Sequence, residues 1–239
     1  IVVYPETGET DLAVLDVFAE DAVDVVKLTP SHLSLVCEAG KAVRRIRSLV
    51  LGGENLSRSL CVQARSVLSP EIEIINEYGP TEAVVGCMIH RFDPDRDTAA
   101  SVPIGRVADG MRIAIRDNGQ GTTPVPFGAP GEIWIAGRLA RGYHGQSALT
   151  SRSFIQDATG TRWYRSGDLG RRRPDGVFEY LGRAEQQLKV GGVRIETAEI
   201  ENAARGLPGV KAVHIAVPQA IRHAAPEHFC TQCALPDSY

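Results

Sequence analysis

The stretch Asn76-Glu77-Tyr78-Gly79-Pro80-Thr81-Glu82 sets an aromatic ring, a hydroxyl and a carboxylate within a few residues of one another. Tyr78 can stack on a flat base. Thr81 can donate a hydrogen bond to a phosphate. Glu82 can hold Mg²⁺ directly or through water, because hard cations take oxygen ligands. The Gly79-Pro80 pair forces a turn, which keeps the three groups close. A strand-end turn with a solvated glutamate is the plainer reading of the same residues, since these types are common in loops.

The elements that position this turn can be read from apolar spacing. Ile72 to Ile75 is a short apolar run leading into the turn and reads as a buried strand. Upstream, Leu12 to Ala22 is apolar at helical spacing, and Val23 to Leu28 is β-branched and strand-like, ending at Thr29-Pro30. Ser31 is the expected N-cap of a helix running to about Ala39. Ile46 to Leu51 reads as a strand entering Gly52-Gly53-Glu54, and Ser57 to Leu68 as a helix. Strand and helix in alternation imply a parallel sheet covered by helices. Ligands of such sheets sit at the carboxyl ends of the strands. Thr29-Pro30, Gly52-Gly53 and the Asn76–Glu82 turn all fall at that end.

From about Pro103 short β-rich runs alternate with Gly/Pro turns, among them Met111 to Ile115 and Glu132 to Ala136. They predict a small antiparallel sheet or barrel. Thr161 to Gly182 reads as further strands joined at Pro174-Asp175-Gly176. Arg171-Arg172-Arg173 before that turn reads as a solvated rim. A boundary is expected near Gly182-Arg183-Ala184-Glu185. Beyond it come a Gly191-Gly192 turn, a helix from about Thr197 to Arg205 and a strand from Val210 to Val217. The expected fold class is therefore α/β: a parallel helix-covered sheet with a β-rich subdomain over residues 1–183, then the start of a small α+β subdomain over 184–225. Residues 226–239 form a tail.

The chain has 239 residues, 43% of them hydrophobic, which suffices for one large core and part of a second. A net charge of −3 gives no broad electrostatic footprint for nucleic acid or membrane. No apolar run approaches the roughly 18 residues a bilayer span needs, and no signal peptide is visible. The chain opens on Ile1-Val2-Val3, so residues upstream are expected. Cys37, Cys61 and Cys87 sit among apolar residues, and the odd total of five cysteines points to reduced thiols and a cytoplasmic setting.

Four stretches, in order, resemble the adenylate-forming superfamily, most closely the amino-acid adenylation domains of nonribosomal peptide synthetases. They are Asn76 to Glu82, then GEIWIAGRLARGY at Gly131 to Tyr143, YRSGDL at Tyr164 to Leu169, and YLGRAEQQLKVGGVRIETAEIE at Tyr180 to Glu201. The resemblance implies activation of a carboxylic acid with Mg-ATP. The acid attacks the α-phosphate, giving an acyl-adenylate and pyrophosphate, and the acyl group passes to a phosphopantetheine thiol on a peptidyl carrier protein. Such chemistry is mostly positioning and charge stabilisation.

Carried over residue by residue, the resemblance lays Tyr78 against the adenine face, with Asn76, Glu77 and Gly79 bordering the nucleotide. Thr81 touches the phosphate and Glu82 helps hold Mg²⁺. Asp168 accepts from both ribose hydroxyls, which one carboxylate can do; a turn aspartate capping backbone amides is the plainer reading. Arg183 reaches ribose or phosphate, and Tyr180 closes over the nucleotide. Glu185 stands at the family's hinge, where Asp is usual. Lys189 and Gly192 match the loop lining the pantetheine tunnel, with Gly191 in place of the family's Arg. The family's upstream phosphate loop and its C-terminal catalytic Lys have no counterpart here, so the chain by itself is expected to be catalytically incomplete.

The acid pocket of the family maps onto Lys27, Val50, Gly52, Glu77, Val85 and Gly86. That lining is apolar and open apart from one ammonium and one carboxylate. The pair can donate to a carbonyl and accept from an amide NH₂, which suits asparagine first and aspartate next. The opposing possibility is that Lys27 and Glu77 only neutralise each other, or that Lys27 points to solvent. An acyl- or aryl-CoA ligase of the same superfamily and a degenerate, non-catalytic adenylation scaffold are the competing readings. In the tail, Cys230 and Cys233 form a Cys-x-x-Cys pair that could begin a Cys-rich, zinc-binding module or remain two unligated thiols.

Overall fold

The computed structural model describes residues 13–117 and 125–183, together with the backbone of Gln187–Val190 and Val193–Glu196. Its first half alternates as the apolar spacing predicts: α1 (Ala13–Glu20), β1 (Val25–Leu28), α2 (Pro30–Ala39), β2 (Ser48–Leu51), α3 (Arg58–Val67) and β3 (Glu73–Tyr78). β1, β2 and β3 are parallel neighbours. One strand face, carrying Val26, Leu28, Leu49, Leu51 and Ile74, forms a core with Leu33, Val36 and Cys37 of α2 and Cys61 and Ala64 of α3. Because strand side chains alternate, Lys27, Val50, Ile75 and Glu77 share the opposite face.

Two local expectations are corrected. The N-cap of α2 is Thr29, not Ser31: the Thr29 hydroxyl accepts from the His32 N–H, and Pro30 occupies the first helical turn. Proline there loses nothing, because a first-turn N–H has no helical partner anyway. Ser31 instead gives both its N–H and its hydroxyl to Glu54. The third strand also runs on to Tyr78, past the expected end at Ile75. Its last residues pair with an antiparallel strand, β4 (Met88–Arg91), which in turn pairs with β5 (Arg106–Val107). Such long-range pairing leaves no local signal in the sequence.

A second, antiparallel sheet contains β6 (Arg112–Arg116), β7 (Gly131–Ala136), β9 (Arg162–Arg172) and β10 (Phe178–Arg183) in the order β10-β9-β7-β6; β8 (Phe154–Gln156), which follows α4 (Ser147–Ser153), pairs with β9. Its core holds Ile133, Ile135, Tyr164 and Phe178, together with Ala83, Cys87 and Met88 from the first sheet's margin. The two sheets are tied at Gly105 and Phe178, whose backbones exchange hydrogen bonds. The chain divides into two compact units, residues 1–185 and 186–239. In the second unit β11 (Gln187–Val190) and β12 (Val193–Glu196) form an antiparallel hairpin, with Lys189 opposite Arg194. Glu185, Gly191, Gly192, the expected helix over 197–205, the expected strand over 210–217, Cys230 and Cys233 lie outside the described residues. Among the described residues no helix is long and apolar enough to cross a membrane.

Candidate active site

β3 delivers the site. Asn76, on the core-facing side of the strand, donates its carboxamide N–H groups to the Val102 and Pro103 carbonyls and so anchors the strand end. Glu77 lies on the other face and Tyr78 is the last strand residue. The chain then turns at Gly79-Pro80 into a short 3₁₀ turn, Thr81–Ala83. Thr81 is exposed, whereas Glu82 is 9% exposed. The turn returns so tightly that a Cβ on Gly79 would stand 2.1 Å from the Val85 carbonyl oxygen, so no other residue fits there. Val84 and Val85 take φ of 62° and 69°, a left-handed backbone that β-branched residues rarely adopt.

Three distant segments meet at Asp168 on β9, which is 4% exposed. Tyr78 donates its phenol to Asp168 Oδ2 at 2.6 Å. Arg183 of β10 forms an ion pair with Oδ1 at 2.9 Å and donates to the Ser166 carbonyl at 3.1 Å. The Tyr180 ring lies 6.3 Å from the Tyr78 ring at a tilt of 41°. Asp168 and Arg183 are direct cross-strand partners. Tyr180 and Arg183, three residues apart, would point to opposite faces of a regular strand. The pairing shifts register between Tyr180 and Gly182, where Gly182 has φ 109°. Such a bulge inserts one residue and brings both side chains toward Asp168. Burial, and next the charge of Asp168, hold the Tyr78 phenol well above its ordinary pKa, and the same causes raise Tyr180. Both phenols therefore stay protonated.

Glu82 is fixed from a second direction. Tyr143 donates its phenol to Glu82 Oε1 at 2.7 Å, and the Ala140 N–H donates to the Glu82 carbonyl at 2.8 Å. Among the described residues no cluster of three or more His, Cys, Asp or Glu could hold a metal ion. Glu82 offers one carboxylate at this turn; a Mg²⁺ that keeps phosphate and water oxygens needs only one or two from protein.

Of the residues expected to line the acid pocket, several gather around Glu77. Lys27 Nζ forms an ion pair with Glu77 Oε2. Val50 is the register partner of Lys27. A Cβ on Gly52 would lie 3.2 Å from the Glu77 carbonyl, and one on Gly86 only 2.6 Å from Glu77 Oε1. Lys27, Gly52, Glu77 and Gly86 are thus brought together. Val85 gives its N–H to the Pro80 carbonyl, and its side chain is exposed.

Several residues of the site had no role assigned from sequence. Ser166 accepts from the Asp168 N–H and donates to the Ile133 carbonyl, and so fixes the strand turn before the aspartate. Glu132 is buried and accepts from Trp134 Nε1, Arg165 and the Gly167 N–H. An acid inside the apolar run Gly131–Ala136 was the available signal for it. Tyr143 closes the family-like stretch that begins at Gly131, but nothing local points it at Glu82.

The pattern of the AMP-binding enzyme family matches residues 1–144. Bacitracin synthase 3 of Bacillus licheniformis is 43% identical over 205 residues, which is 84% of this chain and 3% of that protein. Tyrocidine synthase 3 of Brevibacillus parabrevis is 44% identical over 191 residues, 79% of this chain and 3% of that protein. The solved structure of PA1221, an NRPS protein containing adenylation and PCP domains, superposes with a TM-score of 0.74 at 28% identity, covering 87% of this chain and 43% of that one. The Vibrio cholerae adenylation domain AlmE, solved with glycyl-adenosine-5'-phosphate, gives 0.73 at 28% identity, covering 87% and 41%. The chain therefore spans a small part of these synthases and under half of the solved chains. On this match, and on the convergence of strand end, turn and Asp168, the chain belongs to the AMP-binding enzyme family, and its kin within that family are the adenylation domains of nonribosomal peptide synthetases.

Proposed function

We propose that this chain carries the nucleotide cradle and one wall of the acid pocket of an amino-acid adenylation site. The polypeptide that contains it joins an amino acid to AMP and passes the aminoacyl group to the phosphopantetheine thiol of a carrier protein. In the first step a carboxylate oxygen of the amino acid bonds to the α-phosphorus of ATP, and the bond to the β-phosphate oxygen breaks, releasing pyrophosphate. In the second step the thiol takes the acyl group and AMP leaves.

The observation that carries the nucleotide half is the meeting of Tyr78, Asp168 and Arg183 at the carboxyl end of a parallel sheet. Asp168 sits beside the Arg183 guanidinium, and an ionised carboxylate has about four acceptor sites, so it can take ribose hydroxyls. Tyr78 and Tyr180 supply flat faces for the base. Arg183 adds positive charge toward ribose or phosphate. Thr81, exposed on the 3₁₀ turn, offers a hydroxyl to the phosphate. Glu82 holds the magnesium ion. That ion, when bound, neutralises charge on the phosphates and so eases attack on them.

The acid pocket rests on the Lys27–Glu77 pair. A carboxamide inserted between them would accept from the ammonium through its C=O and donate to the carboxylate through its NH₂, so that neither charge is left unpaired. Gly52 and Gly86 let Glu77 lie close against their backbones, since a Cβ on either would stand 3.2 Å or 2.6 Å from it. We therefore favour asparagine, with aspartate next. That AlmE was solved with glycyl-adenosine-5'-phosphate supports an aminoacyl-adenylate as the product class.

Amino-acid-dependent exchange of pyrophosphate into ATP by the polypeptide that carries this chain tests the proposal. Exchange with asparagine above other amino acids is expected. Best exchange with a large apolar or aromatic acid would overturn the pocket reading. CoA-dependent consumption of acid without aminoacyl specificity would favour the acyl-CoA ligase instead.

A further inference from the structure

We infer that Tyr143 is a positioning residue for Glu82: it fixes the metal-holding carboxylate through a hydrogen bond set up by a strap of chain 61 residues away. The inference rests on the reading of Glu82 as a magnesium ligand and adds to it a residue with no assigned role.

The strap runs from Gly137 to Gln146, between β7 and α4, and is clamped at several points. Arg162 on β9 donates to the Ala140 and Arg141 carbonyls, both at 2.8 Å, and its guanidinium stacks 4.4 Å from the Phe154 ring centroid. Thr150 of α4 accepts from the Tyr143 N–H at 2.9 Å. Gly142 lies against the same threonine: its φ is +147°, and a Cβ there would stand 2.5 Å from Thr150 Cγ2. Glycine at 142 is therefore what lets the strap close onto α4. The Tyr143 ring packs edge-on against Phe154, with centroids 5.8 Å apart, so the phenol cannot swing freely.

So held, the strap reaches Glu82 twice. The Ala140 N–H takes the Glu82 carbonyl and the Tyr143 phenol takes its side chain. A 3₁₀ turn of three residues has little internal order, and its N-cap, Pro80, gives no side-chain hydrogen bond. External contacts must then set where the Glu82 carboxylate points. One oxygen is committed to the phenol, which turns the carboxylate into a defined orientation. Partners of this kind around a ligating carboxylate commonly carry a ten- to hundredfold share of metal affinity.

The test is a titration of Mn²⁺, read by electron paramagnetic resonance, into the intact polypeptide with saturating ATP. Tyr143→Phe is expected to weaken Mn²⁺ binding by roughly tenfold, with the thermal midpoint falling by only a few degrees, the share of one hydrogen bond, because the ring packing is kept. The Mg²⁺ concentration for half-maximal pyrophosphate exchange should rise in parallel, while the KM for the amino acid stays the same. In the Glu82→Gln background the same change should add little, because the oriented ligand is already lost. Equal Mn²⁺ affinity for Tyr143→Phe and the parent protein, or full additivity of the two changes, would overturn the inference. Unchanged Mn²⁺ affinity in Glu82→Gln alone would instead remove the reading of Glu82 on which it rests.

Discussion

The Tyr78 phenol donates to the Asp168 carboxylate across 90 residues of sequence, at 2.6 Å, and joins the end of β3, the central strand of the first sheet, to the antiparallel sheet. Arg183 holds the other oxygen of the same carboxylate. The contact between the two sheets and local stability therefore share one group.

Asp168→Ala should lose both. It leaves the Arg183 guanidinium, largely buried, without its counter-charge, and breaking a buried pair in this way costs about 3 kcal/mol. Urea denaturation should show that loss, and calorimetry should show ATP affinity falling by at least tenfold. Tyr78→Phe removes one hydrogen bond to a charged acceptor and should cost about 1.5 kcal/mol.

Alkaline pH should loosen the same contact. The folded protein raises the Tyr78 phenol above its ordinary value, through burial first and the Asp168 charge second. A group whose pKa is raised on folding contributes stability that is complete below its unfolded pKa, about 10, and is lost as pH rises toward the folded value. Denaturation midpoints measured from pH 9 to 11 should fall more steeply for the parent protein than for Tyr78→Phe.

Burial should make the three core thiols inert. It pushes Cys37 to about 11 and Cys61 and Cys87 to about 12. With the thiolate fraction so low, iodoacetamide at pH 8 should label none of the three in the native fold. All three should react once urea unfolds the chain.

Val84 has a measurable backbone cost. Its φ is 62°, it is 59% exposed, and little packing is lost on replacing it. Val84→Asn, a residue that tolerates the left-handed region, should raise stability by about 1 kcal/mol, read as a shift of the urea midpoint.

Gly86→Ala should separate the pocket from the nucleotide cradle. The added methyl meets the flexible end of Glu77 at 2.6 Å and must push it off Lys27. Stability should change by under about 1 kcal/mol and ATP affinity should hold. Asparagine-dependent pyrophosphate exchange should fall by about tenfold or more.

Much of this was legible in the sequence. The alternation of apolar runs set out β1 to β3 and their helices, and the Gly/Pro punctuation from Pro103 onward set out the antiparallel sheet. Asn76 to Glu82 announced the turn at the end of β3, because Gly79-Pro80 breaks a strand. Periodicity and side-chain chemistry are local properties, and one stretch of chain suffices to state them.

Other features existed only once the chain had folded. The strand end at Tyr78 depends on pairing with β4, and the convergence of Tyr180 and Arg183 on one carboxylate depends on a bulge. The attachment of Tyr143 to Glu82 depends on a strap clamped by Arg162 and Thr150. Each is a contact between segments tens of residues apart, settled by register and by the direction of individual side chains. A hydrogen bond is set by distances of a few ångströms and by angle, and spacing along a chain contains neither.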